Sequence, residues 1–135
     1  MKWKILIIDD EYTSRAFLKE YILNILNDVE VFEAEEAEEG LNILHKGKYI
    51  HLIFLDIVMP GMNAFDFLKK VKEINTLIQV IITTANSSYS NILNAIKNGA
   101  DDYLIKPFSY EEIKEVMDYS TRKLLRWKSV LNKSL

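Results

Sequence analysis

The chain begins with alternating blocks of two kinds. Ile5 to Ile8 and Leu52 to Leu55 are apolar without polar alternation, the pattern of strands buried on both faces. Ile78 to Ile82 and Tyr103 to Ile105 are further apolar runs, and Val29 to Phe32 alternates apolar and acidic residues as an edge strand can. Between them lie segments with helical spacing. Phe17, Leu18, Tyr21, Ile22, Ile25 and Leu26 predict a helix over about Tyr12 to Leu26, ended by Asn27 and Asp28, and Ala37, Leu41 and Leu44 predict one over Glu35 to about Lys46. Phe65, Leu68, Val71 and Ile74 predict a third, capped by Asn63. A fourth carries Ile92, Leu93 and Ile96, capped by Ser87 or Ser88 and closed by Gly99. The last opens on a capping box, Ser109 with Glu112, and carries Ile113, Val116, Met117, Leu124 and Trp127. Strand and helix thus alternate five times with short connections. That order predicts an α/β fold, a mostly parallel sheet with helices on both faces, because right-handed crossovers put them there.

Composition narrows the class. At 135 residues, 49% hydrophobic, the chain suits one domain and leaves no room for two. A net charge of −3 gives no electrostatic reason to expect nucleic acid or an anionic membrane as a partner. Cysteine is absent, which excludes disulfides and thiolate metal sites. Lys2 and Lys4 flank an apolar run too short for a signal peptide, and no run approaches a membrane span, so the expected location is the cytoplasm.

The chemistry lies where the strands stop. The four apolar runs end in Asp9 and Asp10, in Asp56, in Thr83 and Thr84, and in Lys106, and parallel strands bring all four endings to one edge. That edge is where open α/β sheets bind ligands. Alone, Asp56 reads as a strand-end residue capping a loop, and the acidic cluster Glu35, Glu36, Glu38, Glu39 as a solvated helix face. Together, three carboxylates repel: two unit charges about 4 Å apart cost roughly 4 kcal/mol at an effective dielectric of 20. A divalent cation with oxygen ligands relieves this, and a site with few protein ligands and room for water suits Mg²⁺. Lys106 offsets more of the charge, and Pro107 behind it restricts its backbone and so its aim. Mg²⁺, a lysine and a hydroxyl are the parts that stabilise a transferring phosphoryl group, and a carboxylate can accept one. Asp56, at the end of the central strand with Pro60 behind it, is the expected acceptor.

The sequence here resembles the receiver domain of two-component response regulators, a chemotaxis-regulator-like one. The resemblance covers about Lys4 to Met117 and rests on four pieces in order: ILIIDDE at 5–11, LIFLDIVMPGM at 52–62, ITTA at 82–85 and GADDYLIKPF at 99–108. It implies a flavodoxin-like, doubly wound five-stranded parallel sheet of order 2-1-3-4-5 with five helices, the order for which a chemotaxis receiver is the standard example. It implies that Asp56 takes phosphoryl from a histidine kinase's phosphohistidine. Asp10, Asp56 and the Val58 backbone carbonyl would ligate Mg²⁺ and Asp9 would act through water. Lys106 and Thr84 would contact the phosphoryl group, and Tyr103 would be an aromatic switch that follows Thr84. The implied partners are a sensor histidine kinase or phosphotransfer protein, and the chain's own output domain or a downstream protein. Homodimerisation on phosphorylation stays open. On this view the chain is a signalling phosphoacceptor and not an enzyme in its own right.

Departures are few. Val58 and Asn86 stand at positions that tune phosphoryl lifetime in the family, Asn63-Ala64 replaces the usual Asp-Gly, and Val116 stands where winged-helix regulators carry an arginine, which argues mildly against their α4-β5-α5 dimer. Two other readings compete. A flavin or nucleotide binder needs a Gly/Ser/Thr-rich loop after the first strand, where this chain has three acids. A phosphorylation-independent interaction module would usually lack one of the acids or the lysine, and all are present. Residues 1–119 are read as the receiver and 120–135 as a continuation of its last helix to about Leu131: a linker to an output domain, a dimer-forming segment or a frayed end.

Overall fold

The computed structural model describes residues 1–86 and 88–135. Ten elements follow one another: β1 (Trp3–Ile8), α1 (Tyr12–Ile25), β2 (Val29–Ala34), α2 (Ala37–His45), β3 (Leu52–Asp56), α3 (Ala64–Ile74), β4 (Gln79–Thr84), α4 (Tyr89–Lys97), β5 (Asp102–Ile105) and α5 (Tyr110–Lys133). The strands form one sheet of order β2-β1-β3-β4-β5, and each of its four pairings is parallel.

The lack of alternation in β1 and β3 has its cause in two cores. Ile5, Ile7, Leu52 and Phe54 point to one face and pack with Leu18 and Ile22 of α1 and Ile113 and Met117 of α5. Leu6, Ile8, Ile53 and Leu55 point to the other and pack with Leu41 of α2, Phe67 and Leu68 of α3 and Ala95 of α4. Side chains alternate across a strand, so both parities must be apolar when both faces are covered. Sheet order places β1, β3 and β4 in the interior, and all five residues of β3 are buried.

Helix ends follow the expected chemistry. The Asn63 side chain accepts from the Phe65 and Asp66 amides, Ser88 accepts from Asn91, and the Ser109–Glu112 capping box forms. Ser87, the other candidate cap for α4, lies outside the described residues. Gly99 ends α4 with φ +96°, and the Ala100 amide returns to the Ala95 carbonyl. α2 starts at Ala37, two residues later than its acidic run suggested, and its N-cap Glu36 makes no side-chain capping bond. Two apolar sets face water instead of the core. Phe17 of α1 is exposed, and in α4 Leu93 and Ile96 are exposed while only Ala95 is buried. A helix that touches its sheet through one small residue gains little from burial, about 25 cal/mol per Å² of apolar surface removed from water. α5 runs without a break to Lys133.

Candidate functional site

The C-terminal edge of the sheet gathers a charged cluster. Lys106, just past β5, places its ammonium nitrogen 2.7 Å from Asp9 Oδ2 and 2.9 Å from Asp56 Oδ2. The three residues are 97 and 50 positions apart in sequence, and the parallel register alone brings them together. Asp9 and Asp56 are 4% and 6% exposed. Their second oxygens are also engaged: Asp9 Oδ1 accepts from the Glu11 amide at 2.9 Å and Asp56 Oδ1 from the Val58 amide at 2.8 Å. The Lys106–Pro107 bond is cis.

Burial raises the Asp56 pKa above the ordinary carboxylate value, and neighbouring Asp9 adds to the shift; the Val58 amide and Lys106 oppose it without cancelling it. For Lys106, burial pushes the pKa down, but the hydrogen bonds and charges of Asp9 and Asp56 together outweigh it and the net shift is upward. At neutral pH the lysine is therefore a full cation between two acids.

The other expected residues are distributed around this cluster. Thr84 is wholly buried at the end of β4, and its Oγ1 accepts from the Asn86 amide at 3.1 Å. The Lys106 amide donates to the Thr84 carbonyl at 2.9 Å, tying the ends of β4 and β5 together. Tyr103 lies in β5 with its hydroxyl donating to the Asn86 carbonyl at 3.2 Å, and burial followed by the Asp56 charge raises its pKa. Val58 is exposed in the loop after β3. Asp10 is exposed, and the carboxylates that pair with the Lys106 ammonium are those of Asp9 and Asp56. Among the described residues no three acids or histidines form a ready cation cluster.

Sequence reasoning overlooked Arg15. It is buried, donates through Nη1 to the Asp9 carbonyl at 2.7 Å and through Nε to Glu33 at 3.2 Å, and so ties α1, the end of β1 and β2 together behind the acids. The signal was present: Arg15, Leu18 and Ile22 share the inward helical phase, where an arginine needs a reason. Lys72 is the counterpart at the opposite edge, bonded to Asp101 at 2.7 Å and to the Ile78 carbonyl.

The comparisons with known proteins point one way. The model of the response regulator receiver domain matches residues 5–118. The chemotaxis protein CheY-3 of Vibrio cholerae is 34% identical over 120 residues, covering 85% of this chain and 88% of that protein. The transcriptional regulatory protein CiaR of Streptococcus pneumoniae is 37% identical over 112 residues, covering 82% of this chain and 48% of that protein. The two-component response regulator ARR14 of Arabidopsis thaliana matches at 30% over 98% of this chain and 33% of its own length. The chain thus spans a third to a half of these two longer relatives and most of the chemotaxis protein. Among solved structures, a response regulator receiver domain protein of Methanospirillum hungatei superposes with a TM-score of 0.76 at 28% identity, covering 91% of this chain and 99% of that one. The beryllofluoride-activated DrrB receiver domain superposes at 0.79 and 27% identity, covering 90% and 99%. Five parallel strands in the order β2-β1-β3-β4-β5, the acid and lysine ends of β1, β3 and β5, and a family match over most of its length establish that this chain belongs to the response regulator receiver domain family of two-component systems.

Proposed function

We propose that this receiver domain takes a phosphoryl group on Asp56 in an Mg²⁺-dependent reaction and signals the change through the surface formed by α4, β5 and α5. The observation that carries the reading is the Lys106 ammonium, held within 3 Å of both buried carboxylates. Burial destabilises the Asp56 carboxylate, which makes it a better nucleophile than one in water. One Asp56 oxygen attacks phosphorus, the donor's phosphorus–nitrogen bond breaks, and the histidine imidazole leaves. Lys106 offsets charge on the incoming oxygens, and the Val58 amide fixes the carboxylate's orientation through its other oxygen.

The donors here fit Mg²⁺. Carboxylates of Asp9 and Asp56, the adjacent Asp10 and the Val58 carbonyl are all hard oxygen ligands, too few for a closed protein cage, which suits an ion that keeps several waters. When bound, the ion would neutralise charge on the transferring phosphoryl group. The chain's part is to supply the oxygens: Asp10 is free in solvent to turn toward the site, and Arg15 holds the Asp9 carbonyl and with it the loop that carries both acids.

Two features support a switch. Thr84 sits at the end of β4, and its hydroxyl is bonded to the amide of Asn86, whose carbonyl also accepts from Tyr103; a threonine drawn toward a phosphoryl group would release that link. α4, anchored in the core by Ala95 alone, can shift at little cost. On this reading the chain is a phosphoacceptor that catalyses only its own phosphorylation and dephosphorylation, served by a histidine kinase or phosphotransfer protein and acting on an output domain or a downstream protein. A cytoplasmic location fits such partners, and among the described residues no helix is long and apolar enough to cross a membrane. Incubation with a small phosphodonor and Mg²⁺ should label the wild type and leave Asp56→Asn unlabelled. Equal labelling of the variant would move the acceptor elsewhere, and no labelling of either would favour a phosphorylation-independent interaction module.

A further inference from the structure

We propose that the end of the molecule opposite Asp56 is a peripheral docking face for an anionic lipid surface, built from the second half of α5 and the loops that lead into β1 and β3. The net charge of −3 is an average that conceals a segregation. Residues 121–135 carry five Lys or Arg and no Asp or Glu, so residues 1–120 carry −8. Phase along α5 separates the chemistry. Trp127 and Leu131 continue the row of Met117, Ser120 and Leu124, which packs into the domain, but they only line an open groove with Asn75, Thr76 and Leu77 of the loop before β4 and are 50% and 47% exposed. Arg122, Arg126 and Lys133 occupy the opposite row, and all three are exposed. A helix with aromatic and aliphatic side chains on one side and cations on the other, free of acids, matches interfacial amphipathic helices.

The rest of this end adds to the face. Lys128 sets its ammonium 4.8 Å from the ring centre of Tyr49, fastening α5 to the loop before β3, and Tyr49 packs edge-on against His51, which packs against Trp3. Lys2, Lys46 and Lys48 are exposed around that aromatic layer. Of the acids nearby, Asp101 is engaged by Lys72 and Lys123, while Asp28 and Glu73 remain exposed and offset part of the charge. α5 is 24 residues, about 36 Å. The acidic edge therefore lies several Debye lengths of ~8 Å from a surface touching this end and hardly opposes the approach. Asp56 stays open to its phosphodonor in that orientation.

Charge and shape together select lipid over other occupants. A second copy docked through this face would set its excess of cations against the same excess, which Asp28 and Glu73 offset only in part. Nucleic acid would reward the cations and the tryptophan but not the exposed aliphatic Val130 and Leu131, which an acyl boundary does reward. Each cation near an anionic leaflet contributes about 1 kcal/mol, or roughly five-fold in affinity.

The test is co-sedimentation of the whole 135-residue chain with vesicles of equimolar phosphatidylglycerol and phosphatidylcholine, and with phosphatidylcholine alone, at physiological salt. Binding is expected to the mixed vesicles only. Arg126→Gln with Lys133→Gln should weaken it by about 25-fold, with an unchanged thermal melt because both side chains are in water. A blue shift of tryptophan emission on binding should vanish in Trp127→Phe, which retains Trp3. Failure to sediment with anionic vesicles, equal binding to neutral ones, or charge variants that bind as well as wild type would each overturn the proposal. So would tighter binding to duplex DNA than to the vesicles, or a lipid-free dimer in which Trp127 is protected from acrylamide quenching.

Discussion

Replacing Lys106 by methionine tests the electrostatics of the site without depending on phosphorylation. Methionine keeps much of the apolar stem and removes the ammonium, leaving two carboxylates, 4% and 6% exposed, that had shared it at 2.7 and 2.9 Å. Removing one member of a buried ion pair costs roughly 3–5 kcal/mol, because the remaining charge is uncompensated. Against a total stability of about 5–15 kcal/mol that is a large fraction. The cost must shrink as pH falls. Asp56 already holds its proton more tightly than a free carboxylate, and without Lys106 it takes one at higher pH still, which removes one of the two charges. Urea denaturation of wild type and variant at pH 7 and pH 5 reads both effects, and millimolar Mg²⁺ should recover part of the loss at pH 7. A cost below about 1 kcal/mol, or one that does not change between the two pH values, would refute the view that Lys106 compensates two charged acids.

Other expectations follow from the same geometry. Because burial raises the Asp56 pKa in the folded state, its contribution to stability is present at low pH and lost as pH rises through the folded value; Asp56→Asn should therefore melt higher than wild type at pH 7, with the difference closing in acid. His51 is shifted the other way, down to about 4, chiefly by burial and then by the nearby Lys128 charge, so it is neutral in the fold. Stability should fall as pH drops from about 6.5 to about 4, by at most ~3 kcal/mol from this group, and His51→Gln should flatten that slope. Arg15→Ala strips the Asp9 carbonyl and Glu33 of a buried donor and should cost about 2–3 kcal/mol by urea titration, with weaker Mg²⁺ binding by calorimetry as a second consequence.

The strands and their endings were legible because burial on both faces demands apolar residues at both parities, which leaves an unbroken run that stops at the edge. β3 and Asp56 show this most clearly. The order of the strands in the sheet was not in the periodicity; it came with the family likeness. Two consecutive aspartates could not reveal which of them would meet Lys106, since that depends on the direction of one side chain at the point where β1 ends. Asp9 turns in under the Glu11 amide, and Asp10 turns out. α4 misled for a related reason: Leu93 and Ile96 have the spacing of a buried stripe, but the helix meets the sheet through Ala95 and leaves them in water. Arg15 was missed because a charged residue in a helix is usually taken as solvent-facing, although its phase placed it inside.

Chemical trapping of the acyl phosphate examines the central claim most directly. After treatment with a small phosphodonor and Mg²⁺, borohydride reduction should convert the modified aspartate to homoserine, and peptide mapping should find that conversion at position 56 alone. Homoserine at position 9 or 10, or phosphate retained on a serine, threonine or histidine while Asp56 remains intact, would contradict the assignment.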